Sequence, residues 1–146
     1  MIRRLHLTHP DGTTYLRRWG LELPRGLAGI YLHRIDSPDP GNDLHDHPWP
    51  FVSIVLRGSY TEVVADARTL WHRHVPSNSW VRHHVAPTVR ALGLTRAHRI
   101  VGAEPGTWTL VLRGRRSREW GFYTPRGWVP WWRHDTADRP LREDRP

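Results

Sequence analysis

Apolar residues in this chain come in short runs, each closed within a few positions by glycine, proline, asparagine, aspartate or serine. Runs such as Val52-Ser53-Ile54-Val55-Leu56 and Trp108-Thr109-Leu110-Val111-Leu112 are rich in the β-branched and aromatic residues that fit a pleated, half-buried surface. This pattern predicts strands at Leu5–Thr8 and Thr14–Arg18, around the turn Pro10-Asp11-Gly12, and at Ile30–Ile35, Val52–Leu56, Tyr60–Val64 and Thr69–His74. It continues with Ser79–His84, Arg96–Val101, Trp108–Arg113 and Glu119–Tyr123. No stretch sustains a 3.6-residue apolar period, and only Val85–Leu94 has room for a helical turn. Many short strands with frequent turn signals imply an all-β sandwich or barrel with little helix.

At 146 residues the chain is long enough to bury a sizeable core. Residues 1–134 are expected to form one β-domain. The segment 135–146 is charged and nearly devoid of apolar residues, so it is expected to be a loose tail. No apolar run is long enough for a signal peptide or a membrane span, which points to a cytoplasmic protein.

The formal net charge of +8 invites a nucleic-acid reading. All 22 basic residues are arginine, however, and they are spread along the whole chain instead of forming one block. The basic surface therefore argues for an anionic small ligand ahead of DNA or RNA. Phosphate-loop, dinucleotide and nucleophile-elbow motifs are all absent from the sequence. The aromatic cluster Trp120, Phe122, Tyr123, Trp128, Trp131 and Trp132 suits a core or a subunit interface.

There is no cysteine, so any metal site must use His, Asp, Glu and water. His45-Asp46-His47 is the leading candidate: on an extended segment residues i and i+2 share a face, and neutral imidazole is the commonest metal ligand. Asp46 alternates away and is expected to support the site from behind. His72 and His74 repeat the spacing and form the main rival; His83 and His84 compete for a third position.

Gly41, His45, His47 and Gly58 resemble the first motif of the cupin superfamily, which reads Gly, five residues, His-x-His, three or four residues, Glu, six residues, Gly. Here the leading glycine lies four residues before His45, and the glutamate slot falls on Phe51 or Val52. The phrases Leu44-His45-Asp46-His47-Pro48-Trp49, Leu56-Arg57-Gly58-Ser59-Tyr60-Thr61-Glu62 and Glu119-Trp120-Gly121-Phe122 are similar to small bacterial and phage cupin-like proteins. The resemblance implies a jelly-roll barrel, the double-stranded β-helix of cupins. It also implies a second-motif histidine on a neighbouring strand, for which His98 fits.

From this follows a divalent metal, Fe, Zn, Mn or Ni, held by His45, His47 and His98. Glu62 is expected as a fourth ligand or as an acid/base group alongside Tyr60, and Arg57, Arg96 and Arg99 are expected to bind a polar or anionic substrate. The implied function is a metal-dependent small-molecule enzyme with dioxygenase, isomerase or lyase chemistry, in a protein that forms a homodimer. A non-catalytic ligand-binding cupin is the alternative, and a basic nucleic-acid-associated or interaction protein is the third reading.

Overall fold

The structure, a computed structural model, describes residues 2–72 and 79–134. In chain order its strands are β1 (Ile2–Thr8), β2 (Thr14–Glu22), β3 (Gly29–Ile35), β4 (Leu44–His45), β5 (Phe51–Arg57) and β6 (Ser59–Asp66). Helix α1 (Ala67–His72) follows, then β7 (Trp80–Val85), β8 (Thr88–Leu92), β9 (Arg96–Ala103), β10 (Thr107–Arg113), β11 (Gly121–Thr124) and β12 (Gly127–Pro130). They build two six-stranded sheets, ordered β1-β2-β3-β10-β5-β8 and β12-β11-β4-β9-β6-β7. The strand pairings are antiparallel, and the two sheets form the jelly-roll sandwich that the family resemblance implied.

The inner faces of the two sheets meet in two apolar clusters. One gathers Tyr15, Leu16, Ile35, Val55, Tyr60 and Ile100; the other gathers Tyr31, Phe51, Val64, Leu92 and Val111. Val55 and Val64 are fully buried, and removing such a side chain from water contributes roughly 1.5–3 kcal/mol. A third cluster of Leu44, Ala65, Ala67 and Ala97 lies where α1 joins β6, with Leu70 packed against it.

Gly58 carries the chain from β5 in one sheet to β6 in the other. Its φ is +78°, and a Cβ built there would sit 2.4 Å from Thr107 Oγ1. Only glycine combines that backbone conformation with so close an approach.

Three local expectations are corrected. Residues 67–72 are helical, not the start of a strand at Thr69–His74: Asp66 accepts from the Arg68 backbone N–H at 3.0 Å, an N-cap contact that competes with extending β6. His74 lies outside the described residues, as does the tail 135–146. The stretch 85–94 holds strand β8 in place of a helical turn, because the edge of β5, more than thirty residues earlier, supplies its hydrogen-bonding partner from Phe51↔Leu92 to Val55↔Thr88. The short strands β4 and β12 were not expected at all; each exists by pairing with β11. Among the described residues no helix is long and apolar enough to cross a membrane.

Candidate metal centre

His45 ends β4 and lies directly opposite His98 on β9. This register places the two rings side by side on the inner face, with centroids 4.7 Å apart. His47, two residues on, faces the same way; its ring lies 5.0 Å from that of His98 and 5.1 Å from that of His45. One nitrogen from each of the three falls within 4.8 Å of the other two, and Nε2 of His47 is 2.8 Å from Nε2 of His98.

All three imidazoles are held neutral. Burial, followed by the positive charge of Arg90, pushes His45 down to about 4. Burial likewise takes His98 to about 4 against the opposing pull of Glu62, and it takes His47 well below the usual histidine range, helped by the neighbouring histidines and Arg90. Neutral imidazole is the ligating form, so this all-nitrogen set fits a divalent first-row metal without first having to shed protons.

Glu62 takes a different position from either expected role. It is fully buried beneath His98, with one carboxylate oxygen 2.8 Å from His98 Nδ1 and the other 2.9 Å from His84 Nε2. The Arg90 guanidinium donates to both oxygens. Burial raises the Glu62 pKa, but the hydrogen bond from His98 and the charge of Arg90 outweigh it and hold the carboxyl at about 2. An ionised carboxylate only accepts, so Nδ1 of His98 carries its proton and Nε2 presents its lone pair toward His47.

Tyr60, on the same face of β6, stacks near His84 with centroids 4.9 Å apart. Burial pushes its phenol up to about 12, so it stays protonated at neutral pH.

Asp46 points to the opposite side, as the alternation implied, and ties the His-x-His segment to β11 and β12. It accepts from the Gly121 backbone N–H at 2.8 Å, the Tyr123 hydroxyl at 3.0 Å and the Trp128 indole at 3.3 Å, and it pairs with Arg118 at 3.0 Å. It thereby sets the aim of the two histidines that flank it.

The imidazoles open on a cavity of about 290 Å³ between the sheets. Much of its wall is aromatic or aliphatic, including Tyr15, Tyr31, Trp49, Phe51 and Ile100. Arg57, Arg96 and Arg99 do not line it. Arg57 is exposed opposite Trp108, Arg96 lies over the Trp80 ring and near Asp66, and Arg99 donates to the Gly41 carbonyl. Closeness in sequence to the motif did not decide which face of the sheet these side chains take.

The cations on the cavity wall are Arg18, Arg90, Arg113 and Arg116. Arg18 stands on the opposite sheet from the imidazoles, donates from Nε to His33 Nε2 at 3.0 Å and lies 4.8 Å over the Tyr31 ring. Arg90 was hidden in the segment taken for a helical turn, and the only sequence signal for it was an arginine flanked by apolar residues. Of His83 and His84, His84 joins the site, through Glu62, while His83 is exposed and hydrogen-bonds Thr61.

No family model and no curated protein sequence matches the chain. Solved structures do. The iron(II) protein HppE superimposes with a TM-score of 0.58 at 12% identity, over 77% of this chain and 56% of that one. Bacillus subtilis oxalate decarboxylase, described with Mn(II) centres, gives 0.57 at 14% identity over 89% of this chain and 30% of its own length. Lactobacillus farciminis oxalate decarboxylase in complex with formate gives 0.53 at 14% identity over 78% and 31%. The chain thus spans about half of HppE and under a third of the decarboxylases. At these identities the likeness shows the fold alone: the chain shares the fold of HppE and the oxalate decarboxylases.

Proposed function

We propose that this protein is a metal-dependent enzyme acting on a small organic anion, with a divalent metal held by His45, His47 and His98. The observation that carries the reading is the convergence of three neutral imidazoles on one cavity. Iron and manganese, the metals of the similar structures HppE and oxalate decarboxylase, are the leading candidates for the ion. Once bound, such an ion supplies Lewis acidity and exchangeable positions for a substrate oxygen or dioxygen.

The chain's own residues do the rest. Glu62 keeps His98 in one tautomer and orientation. Arg90 neutralises Glu62 and, beside the imidazoles, disfavours their protonation. The aromatic walls exclude water, and Arg18 offers a cation across the cavity from His47, suited to an anionic substrate group. The proposal includes a cytoplasmic location and a reaction of dioxygenase, isomerase or lyase type.

One observation favours a second reading, a cupin that binds its ligand without turning it over. Both oxygens of Glu62 are engaged and Tyr60 is held protonated, so neither is poised to take a proton. Metal analysis of the purified protein tests the shared premise. Stoichiometric metal is expected in the wild type and its loss in His45→Ala and His98→Ala; metal-free wild type, or metal unaffected by either change, overturns both readings. Turnover or dioxygen uptake with a panel of small organic acids then separates enzyme from binding module.

A further inference from the structure

Three carboxylates line the cavity between the sheets: Glu22, Asp39 and Asp43. Two of them have side-chain partners. Glu22 accepts from the Tyr31 hydroxyl and pairs with Arg113 at 3.4 Å, and Asp43 meets His134 Nε2 at 2.8 Å. Asp39 forms no ion pair among the described residues. One of its oxygens accepts from the Ile100 backbone N–H at 2.8 Å, and the other has no hydrogen-bond partner among the described residues.

Local chemistry holds this carboxylate in place. Pro38 and Pro40 flank Asp39 and restrict the backbone on both sides of it. The Asp39 N–H donates to the Ile100 carbonyl at 3.0 Å, so Asp39 continues the edge of β9 beyond the single His45↔His98 pair of β4. Ile100 lies two residues from His98 on the same inner face, a step of about 6–7 Å along the strand. Asp39 therefore stands beside the three imidazoles. Arg99 alternates to the other face of β9, where it donates to the Gly41 carbonyl and the Asn42 side chain. Burial pushes the Asp39 pKa up, against the opposing effect of the Ile100 N–H. A charge withdrawn from water without a partner is costly, and buried charges are ordinarily paired.

We infer that the cavity takes a small amino acid, its ammonium on the open oxygen of Asp39 and its carboxylate on the side of Arg18. Arg18 is held on the opposite sheet by donation to His33 Nε2, and burial followed by the charge of Arg18 keeps His33 well below the usual histidine range, in the neutral form that can accept. A plain organic acid would leave Asp39 without a cation and be repelled by it, and a plain amine would meet the positive field of Arg18 and Arg90. A ligand carrying both charges satisfies both walls. The cavity, about 290 Å³, is at the small end of ligand sites. This rests on the reading of the cavity as the substrate site and narrows its organic anion to one that also bears an ammonium group; it does not require the metal.

Trp49, Trp120 and Trp131 line the cavity, so binding is read by tryptophan fluorescence on the full-length protein, as purified and after chelation. Glycine, β-alanine and 4-aminobutyrate are titrated against acetate, propionate and butyrate. At least one amino acid is expected to bind about tenfold or more tightly than the acid of the same chain length, as a charge-assisted hydrogen bond allows. Asp39→Asn keeps an acceptor for the Ile100 N–H without the charge. It is expected to remove the amino-acid advantage while plain acids bind as well as before or better, whereas damage to the structure would weaken both series alike. Arg18→Gln is expected to weaken both. Circular dichroism checks the fold of each variant, and the wild-type comparison decides the matter even if a variant is unfolded. Equal binding of the two series by the wild type, equal losses in Asp39→Asn, indifference to Arg18→Gln, or no binding of any probe overturns the inference. Metal analysis of the same samples keeps the two readings apart. Metal-free protein that still selects amino acids sinks the metal centre alone, and metal-replete protein that does not select them sinks the ligand class alone.

Discussion

Glu62 concentrates more of the site's electrostatics than any other side chain. Its buried carboxylate is encircled by His84, His98 and Arg90. Truncating one partner of such a group leaves the others charged or unsatisfied in a low-dielectric interior, which costs on the order of 3–5 kcal/mol. Glu62→Ala is therefore expected to lower stability by that amount in urea denaturation. Glu62→Gln keeps the shape and one acceptor and should retain part of the loss. In both variants metal affinity is expected to drop about 10–100-fold, the usual effect of removing the carboxylate behind a ligating histidine. Unchanged metal titration in Glu62→Ala would show that His98 needs no such support. The expectation that Glu62 belongs to the site arose from its position after Gly58; its placement behind His98 arises from the register Val64↔His98, which tertiary pairing alone supplies.

At the scale of elements, the crossing at Gly58 holds the two sheets in relation. Any other residue there must adopt a left-handed φ, at a cost of about 1–3 kcal/mol, and must push its Cβ into Thr107. Thr107 is itself buried and hydrogen-bonds Ser59 and the Glu104 carbonyl. Gly58→Ala is thus expected to lower the thermal midpoint by several degrees; an unchanged midpoint would mean that the turn relaxes freely. Long, strongly apolar strands such as β5, β6, β9 and β10 were legible because the sequence itself carries their β-forming residues. The two-residue β4, the edge strand β8 and the closing β12 were not, since short segments take their conformation from the strand that pairs with them.

For the molecule as a whole, a metal that binds only the folded state must stabilise it by mass action. At a free concentration 100-fold above the dissociation constant the gain is about 2.7 kcal/mol. Thermal unfolding is therefore expected to move upward with added Fe(II) or Mn(II) and to fall back with chelator, and His98→Ala should abolish the shift. A midpoint that ignores the ions in the wild type would contradict the proposed centre.

By itself, the sequence determined the all-β class, the absence of thiolate chemistry and the pairing of His45 with His47. These rest on local properties: composition, β-forming runs and the two-residue period that puts i and i+2 on one face. It also offered His98, through a resemblance. What only the tertiary structure decided was which side chains share the interior. His98 lies beside His45 because β9 pairs with β4, Glu62 lies behind His98 because β6 pairs with β9, and Arg90 reaches Glu62 from the opposite sheet. Arg57, Arg96 and Arg99, the arginines closest to the motif along the chain, end outside the cavity for the same reason. Contacts between residues tens of positions apart depend on which strands meet and in what register, and no local pattern encodes either.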